Sequence, residues 1–233
     1  MSERILGILW EGFQKIMIAS IQVTIPLTVL SFTFAMIIAL FMAMVQYAKV
    51  PVLRQIARLY IWLFRGTPLL VQMFLAYFGL PKLGITMEAF PCAVLVFSLN
   101  EGAYCSETMR AALEAVPAGQ VEAGYCVGLN YVQIMFRIVL PQALRTAFPP
   151  LSNSLISMMK DTSLAAEITV ADMFMSAQKI VGRTYEPLWL YSEVALVYLA
   201  FSTVLTFVQR AWEKKLNTYN SREDAPARKE EVR

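Results

Sequence analysis

Long runs of apolar side chains, separated by short polar segments, set the organisation of this chain. Residues 16–48 contain no charged side chain, a run of 33 positions, whereas about 20 apolar residues are enough for a helix to cross a bilayer. The run is also too long for a secretory signal peptide, and no small-residue cleavage site precedes a polar mature region. The pattern therefore predicts an integral membrane protein.

Five membrane-crossing helices are predicted from the positions of the apolar runs, which gives an all-α membrane fold. The fourth is the least apolar of the five, and together they form a membrane domain from residue 18 to residue 210. The predicted crossings cover roughly residues 18–45, 60–81, 89–109, 148–170 and 188–208.

The two ends of the chain differ from this membrane domain. Residues 1–17 combine apolar and charged side chains, which predicts a short helix lying in the membrane interface. Residues 211–233 form a charged tail. Its last part, residues 220–233, has almost nothing to bury and is predicted to be disordered.

The composition excludes several kinds of site. The chain is 58% hydrophobic and 16% charged and has no histidine, so a Ser-His-Asp triad or a histidine metal site is excluded. No GxxxxGK[ST] or GxGxxG segment follows a strand-like run, which argues against a nucleotide site in this chain. Cys92, Cys105 and Cys126 form no CxxC pair. They are expected to be small packing residues, with a redox or metal role as the alternative.

Lysine and arginine residues are distributed unequally between the two sides of the predicted bundle. Fifteen of the 20 fall on the side that holds the C-terminal tail and the loop between the third and fourth crossings. Because positive loops favour the cytoplasm, we expect the N-terminus outside and the C-terminus in the cytoplasm. The five cations on the outer side are Arg4, Lys15, Lys82, Lys179 and Arg183.

An elbow of mixed polarity, residues 117–141, interrupts the apolar pattern between the third and fourth crossings. A short helix is predicted from Gly119 to Val127, because Gly128 can take the left-handed conformation that ends a helix. Asn130 and Gln133 have the spacing of a capping box, which predicts the start of a second helix. The apolar side of the short helix either folds back onto the bundle or docks on a partner protein.

Two features of the second and third crossings have alternative interpretations. Thr67 followed by Pro68 is typical of a helix start, so the second crossing is either broken there, with free amides pointing at a path, or kinked. Arg110 lies three residues after Glu107 and four before Glu114. That spacing predicts a ladder of ion pairs along one helix face.

The fourth crossing is too polar to face lipid, because a charge at mid-bilayer costs about 2.5–3.5 kcal/mol. It is expected to line the bundle interior or a water-filled path. Lys160 and Asp161 form either a structural ion pair at the cytoplasmic end or part of a gate. Glu101, inside the third crossing, either pairs with a lysine or arginine or meets the ammonium group of a transported amino acid. The polar residues of the fourth crossing are Ser152, Asn153, Ser154, Ser157, Lys160, Asp161, Thr162, Ser163 and Glu167.

The elbow resembles the EAA loop of ATP-binding-cassette importer permeases. That pattern is Glu-Ala-Ala, three residues, Gly, nine residues, then Ile-x-Leu-Pro, and this chain matches it with Gly124 in place of the third alanine. The change is expected to loosen the helix by up to about 1 kcal/mol without removing contact surface. The resemblance implies that the elbow couples the chain to a separate ATPase. The implied coupling residues are Glu122, Ala123, Gly124, Gly128, Leu140 and Pro141.

Further segments are similar to the polar amino-acid uptake branch of these permeases. They include Arg65-Gly66-Thr67-Pro68 and Lys160-Asp161-Thr162-Ser163-Leu164-Ala165, and the fourth crossing is most similar to that of L-cystine permeases. The polar residues of the resembling segments, together with those of the third and fourth crossings, are candidates for the substrate path or gate. They are Arg65, Thr67, Gln72, Asn100, Glu101, Glu107, Asn153, Lys160, Asp161, Thr162 and Ser163.

The resemblance implies a type I importer permease in a bacterial cytoplasmic membrane. Implied partners are two ATPase subunits, which bind ATP and Mg²⁺, an extracytoplasmic amino-acid-binding protein, and a second permease copy or a sister chain. Membrane lipid is a further partner, and nucleic acid is not expected. Other polar amino acids, namely glutamine, glutamate, histidine and arginine, are alternative cargoes. A secondary transporter or an intramembrane enzyme fits less well, because neither two similar halves nor a nucleophile–base pair is evident.

Overall fold

The first crossing is a single helix much longer than the bilayer is thick. The structure is a computed structural model that describes the backbone of residues 3–48 and 50–230 and the side chains of these as far as Lys215. Helix α1 (Glu3–Ala19) continues through a π turn into α2 (Ile25–Tyr47). The separate interfacial helix predicted before the first crossing is therefore wrong, because nothing at its end interrupts the helix.

The π turn Ser20–Thr24 allows α1 and α2 to form one helix despite a proline. Pro26 stands in the first turn of α2, where its ring removes a hydrogen bond and crowds the carbonyl one turn earlier. A widened turn just before the proline relieves that crowding.

The second crossing is broken in its middle. Helix α3 (Pro51–Arg65) ends at Gly66, and α4 (Leu69–Phe74) leads through a π turn and a 3₁₀ turn to Leu83. The two parts are bent by 102°. The interpretation as a break rather than a kink is thus confirmed, and the crossing begins nine residues before the predicted start at residue 60.

The third and fourth crossings flank the elbow. Helix α5 (Ala89–Glu114) starts where predicted and ends five residues later than predicted. After the elbow helix α6 (Ala118–Cys126), the chain forms α7 (Tyr131–Ile134), a π turn and α8 (Leu140–Asp161).

The limits predicted for the fourth crossing, residues 148–170, are therefore wrong at both ends. The chain beyond Asp161 tightens into a 3₁₀ helix, Thr162–Ile168. The hydroxyls of Thr162 and Ser163 donate to the carbonyls of Met159 and Lys160 at 2.7 and 2.9 Å. Such local bonds compete with the regular helix ladder.

Helix α9 (Met173–Thr184) was not predicted, and α10 (Pro187–Glu230) is longer than the predicted fifth crossing. The backbone is helical through Glu230, which differs from the disorder predicted for residues 220–233; the last three of these lie outside the described residues. By length and composition, Glu3–Tyr47 and Pro187–Lys215 can each cross a membrane. The pair α3–α4 adds a third span only when its two parts, bent by 102°, are counted as one.

Helices α2 and α5 form the centre of the bundle. Ala35, Ala39 and Ala43 are fully buried along one face of α2, and small residues at such spacing let two membrane helices approach closely. Gly102 on α5 extends this close packing, because a Cβ there would lie 3.0 Å from Ile38 Cγ2. The elbow is thereby attached to a helix that packs closely against α2.

Candidate functional site: an elbow and a polar cavity

The elbow has the local structure predicted for it. Helix α6 ends where Gly128 takes a left-handed conformation with φ of +79°. The next helix starts with a capping box, in which the Asn130 side chain accepts from the Gln133 amide at 2.9 Å. The Gln133 side chain accepts from the Asn130 amide at 3.0 Å in return. Local interactions of Gly128, Asn130 and Gln133 therefore define the turn between the two helices.

Gly124 packs α6 against the helix that follows. It is buried, and a Cβ added to it would lie 2.8 Å from Ile134 Cγ1 and 3.2 Å from Ile138 Cδ1. The glycine is therefore a position of close approach, and the expectation that it only loosens the helix is wrong. The larger side chains of Ile134 and Ile138 occupy the space that a third alanine of the motif would use.

The rest of α6 is open to solvent. Glu122 and Ala123 are exposed, as are Tyr125 at 52% and Val127 at 74%. One face of the short helix folds back onto the bundle, as the first alternative predicts, and the other face is uncovered. Cys126 is exposed too, unlike the buried Cys92 and Cys105, so the packing role predicted for all three cysteines is wrong for this one.

Leu140 and Pro141 join the elbow to α8. Leu140 packs against the buried cluster around α5 and α8, and Pro141 stands in the first turn of α8 directly after the π turn. The side-chain amide of Gln142 donates through Nε2 to the Ile138 carbonyl at 3.0 Å and to Gln120 Oε1 on α6 at 3.1 Å. The last bond, which no sequence signal indicated, ties α6 to α8 directly.

Two amides stabilise the break between α3 and α4. Gln72 Nε2 donates to the Phe64 carbonyl at 2.9 Å and to Thr67 Oγ1 at 2.7 Å. Asn100 Nδ2 of α5 donates to Gln72 Oε1 at 3.0 Å and to the Phe64 carbonyl at 3.2 Å. A broken helix leaves carbonyls unpaired, and these bonds satisfy them. Thr67 itself donates back to Leu63, so its predicted role as cap of the next helix is wrong.

A polar cavity of about 380 Å³ lies between the break, α5 and α8. Two acids, Glu101 from α5 and Asp161 from α8, line it. Neither forms an ion pair within the described side chains, so the expected lysine or arginine partner for Glu101 is absent there. The cavity is lined by Leu69, Asn100, Glu101, Tyr104, Ser154, Ser157, Asp161 and Leu164.

A cluster of charges stands beside this cavity, towards the elbow. Arg110 donates to Glu107 at 3.0 Å and to Glu114 at 2.7 Å, which confirms the predicted ladder. Arg65 lies 3.8 Å from Glu107, and its guanidinium is 5.2 Å from the ring centroid of Tyr104. Because Tyr104 also lines the polar cavity, Arg65 borders that cavity from the side.

The other predicted path residues lie away from the cavity. Asn153 accepts from Gln209 of α10 at 3.1 Å, Thr162 is buried, and Lys160 and Ser163 line a separate cavity beside α10. Lys160 makes no ion pair with Asp161 in the described structure. It also lies at the end of α8 far from the elbow. The predicted pairing with Asp161 is therefore wrong, and so is the placement of Lys160 on the same side of the bundle as the elbow.

Comparison with known proteins identifies the family. Residues 33–218 match the family described as binding-protein-dependent transport system inner membrane component. The chain belongs to this family. It is thus a membrane permease component of such a system and not the subunit that hydrolyses ATP.

Individual relatives and structures agree with this membership. The chain is 46% identical over 210 residues to the L-cystine transport system permease protein TcyB of Bacillus subtilis (strain 168), covering 90% of each. It is 36% identical to the probable glutamine ABC transporter permease protein GlnP of the same organism, covering 91% of this chain and 95% of that one. The crystal structure of an amino acid ABC transporter with histidines superposes with a TM-score of 0.84 at 30% identity, covering 92% of this chain and 100% of that one.

Proposed function

We propose that this permease imports a polar amino acid, with L-cystine as its cargo, through the polar cavity between α4, α5 and α8. The relative at 46% identity is an L-cystine permease, whereas the glutamine relative is less similar at 36%. The observation that carries the proposal is the pair of carboxylates, Glu101 and Asp161, in one cavity with no described cation bound to either.

The charges around the cavity suit a zwitterion. L-Cystine carries ammonium and carboxylate groups, and an ammonium group entering the cavity meets Glu101 and Asp161. Arg65, held against the ring of Tyr104, offers a guanidinium at the edge for a carboxylate. Uncompensated acids inside a membrane are costly, so a cationic group of the cargo offsets that cost during passage.

The elbow is proposed to be the contact with the ATPase. The exposed face around Tyr125 and Val127 offers apolar surface, and exposed apolar patches usually mark interaction sites. One elbow per chain and two ATPase subunits per transporter call for two permease copies, for which a homodimer is the simplest arrangement. An extracytoplasmic amino-acid-binding protein is proposed to deliver the cargo at the opposite side, with the N-terminus outside.

Transport by variants in which one of the two carboxylates is neutralised tests the proposed cargo path. Glu101→Gln and Asp161→Asn are measured in proteoliposomes with the ATPase and the binding protein, using cystine, glutamine, glutamate and arginine. All four cargoes lose a partner for their ammonium group. We expect arginine, with a second cationic group, to lose the most rate, and glutamate the least, because removing an acid also relieves the repulsion of its side-chain carboxylate. Ser176→Ala, on α9 and outside the cavity, is the control.

Two outcomes separate the parts of the proposal. An unchanged ranking of the four amino acids, with normal ATP hydrolysis, excludes both acids as contacts of the cargo. A uniform loss of transport and ATP hydrolysis in both variants indicates a structural role instead, such as the bond from Cys105 Sγ to Glu101 Oε1 at 3.4 Å.

A further inference from the structure

A second cavity lies near the elbow ends of α2, α3 and α5, and the proposed cargo path does not include it. Its volume is about 360 Å³. Both signs of charge line it, in contrast to the acids of the cargo cavity. The lining residues are Gln46, Arg54, Arg58, Ile61, Trp62, Glu107, Arg110 and Glu114.

The charges of this cavity do not cancel. Arg110 pairs with Glu107 and Glu114, and Arg65 adds a second cation beside Glu107. The two cations and two anions of this ion-pair network therefore balance. Arg54 and Arg58 form no ion pair and no hydrogen bond with any described side chain, which leaves two positive charges facing the cavity.

The helix that carries these arginines also has an apolar face that nothing described covers. Arg54 and Arg58 are four residues apart on α3, so they share one face. On another face, Val52, Ile56 and Leu59 are exposed at 71%, 56% and 62%. A helix with a basic face and an uncovered apolar face is typical of contact with a membrane whose lipids are anionic.

We propose that this cavity binds the phosphodiester headgroup of an anionic phospholipid, with Arg54 and Arg58 as its donors. A guanidinium presents paired N–H groups that match two phosphate oxygens. Basic pockets between membrane helices on the cytoplasmic side favour such headgroups.

The site is coupled to the cargo path through one ion-pair network. Glu107 stands in the wall of the headgroup cavity and also lies 3.8 Å from Arg65. Arg65 in turn contacts Tyr104 of the cargo cavity. A bound phosphate competes for Arg110 and thereby shifts how Glu107 is shared between Arg110 and Arg65.

Lipid retention tests the site without relying on transport. The full-length chain, co-purified with its ATPase and stripped of lipid, is titrated with phosphatidylglycerol and, separately, with phosphatidylcholine, and bound lipid is counted by native mass spectrometry. We expect Arg54→Gln and Arg58→Gln each to weaken phosphatidylglycerol binding about fivefold, and the double variant about 25-fold. Arg210→Gln, an exposed charge on α10 outside the cavity, is the control and should bind normally.

A charge-conserving variant and a competition experiment distinguish a phospholipid site from a site for a free anion. Arg54→Lys with Arg58→Lys keeps the charge but not the paired N–H groups, so its phosphatidylglycerol binding should fall between that of the wild type and that of the double glutamine variant. The single glutamine variants remain informative if the double variant folds poorly. Equal phosphatidylglycerol binding by the glutamine variants and the wild type would overturn the proposal. So would displacement of the lipid by inorganic phosphate at equal concentration, which would make this a site for a free anion.

Discussion

Replacing Gly124 with alanine tests whether direct packing holds α6 against the helix that follows. The added Cβ would lie 2.8 Å from Ile134 Cγ1 and 3.1 Å from its Cδ1. Ile134 is fully buried, so its side chain has little room to move away. Overpacking of this kind costs about 1–3 kcal/mol, while alanine at a helical glycine gains up to about 1 kcal/mol. We expect a net loss of about 1–2 kcal/mol for the docking of α6.

Gly119 is the matched control because it lies in the same helix with open space around it. Nothing lies within 4 Å of a Cβ built there. Gly119→Ala should therefore stabilise α6 slightly or leave it unchanged. Ile134→Ala is itself costly, by about 2–5 kcal/mol. In that background, however, Gly124→Ala should cost less than in the wild type, because the atoms that the new methyl group meets are gone.

Hydrogen exchange of the elbow amides in the permease without its ATPase measures the effect. A loss of 1–2 kcal/mol raises the opening of α6 and α7 about 5- to 30-fold. The exchange of α2 should stay as in the wild type. If Gly124→Ala protects the elbow as well as Gly119→Ala does, the contact with Ile134 does not hold α6, and the packing argument fails.

Three further predictions concern other parts of the chain. Asn100→Leu removes a donor from the break and should lower the free energy of unfolding by about 1–3 kcal/mol, seen in thermal unfolding; unchanged unfolding would mean that Gln72 alone satisfies the break. Glu122→Lys should leave the chain in the membrane but lower transport-linked ATP hydrolysis, and wild-type coupling would contradict the coupling role. In a Cys126→Ser background, Lys82→Cys should react with a membrane-impermeant reagent from outside intact cells and Asn130→Cys only after permeabilisation; the opposite result would reverse the proposed orientation.

The elbow could be predicted from sequence because its signals are local. A left-handed glycine at position 128 and the capping box of Asn130 and Gln133 act within a few residues, and all three have the predicted geometry. The resemblance to the EAA loop added a function to this shape. It could not add the role of Gly124, because that role depends on which side chain stands opposite.

Features that depend on contacts between distant segments were not predictable. Hydropathy placed the fourth crossing too far along the chain, because it does not register that the hydroxyls of Thr162 and Ser163 end the helix. Helix α9 was missed although Asp172 caps it, with a bond from the Met175 amide at 2.8 Å. Its apolar face packs on α1 and is recognisable only when α1 is in place.

Polarity predicted the region of the polar cavity and three of its lining side chains, Asn100, Glu101 and Asp161, but it also selected residues that lie elsewhere. Consecutive residues of a helix point in different directions. Asp161 therefore lines the polar cavity, while its neighbour Lys160 lines the separate cavity beside α10. Gln72 and Asn100 were predicted as path residues, yet their bonds go to the carbonyls of the broken helix. Gln72 therefore positions the wall of the cavity from behind, whereas Asn100 both bonds to the broken helix and lines the cavity.

The arrangement of the chain connects the elbow to the cavity through two helices at once. Glu101 lies 13 residues before the end of α5, about 20 Å along that helix, and Asp161 ends α8 at a distance of about 30 Å from Leu140. Because α6 is bonded to α8 by the Gln120–Gln142 contact at 3.1 Å, we expect a displacement of α6 to move both helices that carry the acids. The π turn Met135–Val139 lies between α6 and α8. Because such turns inside helices are frequent at functional sites, we expect α8 to tilt relative to the elbow at this point. Such a tilt would change the distance between Glu101 and Asp161. We expect that distance to be shorter when the cavity holds a cationic group than when the cavity releases it.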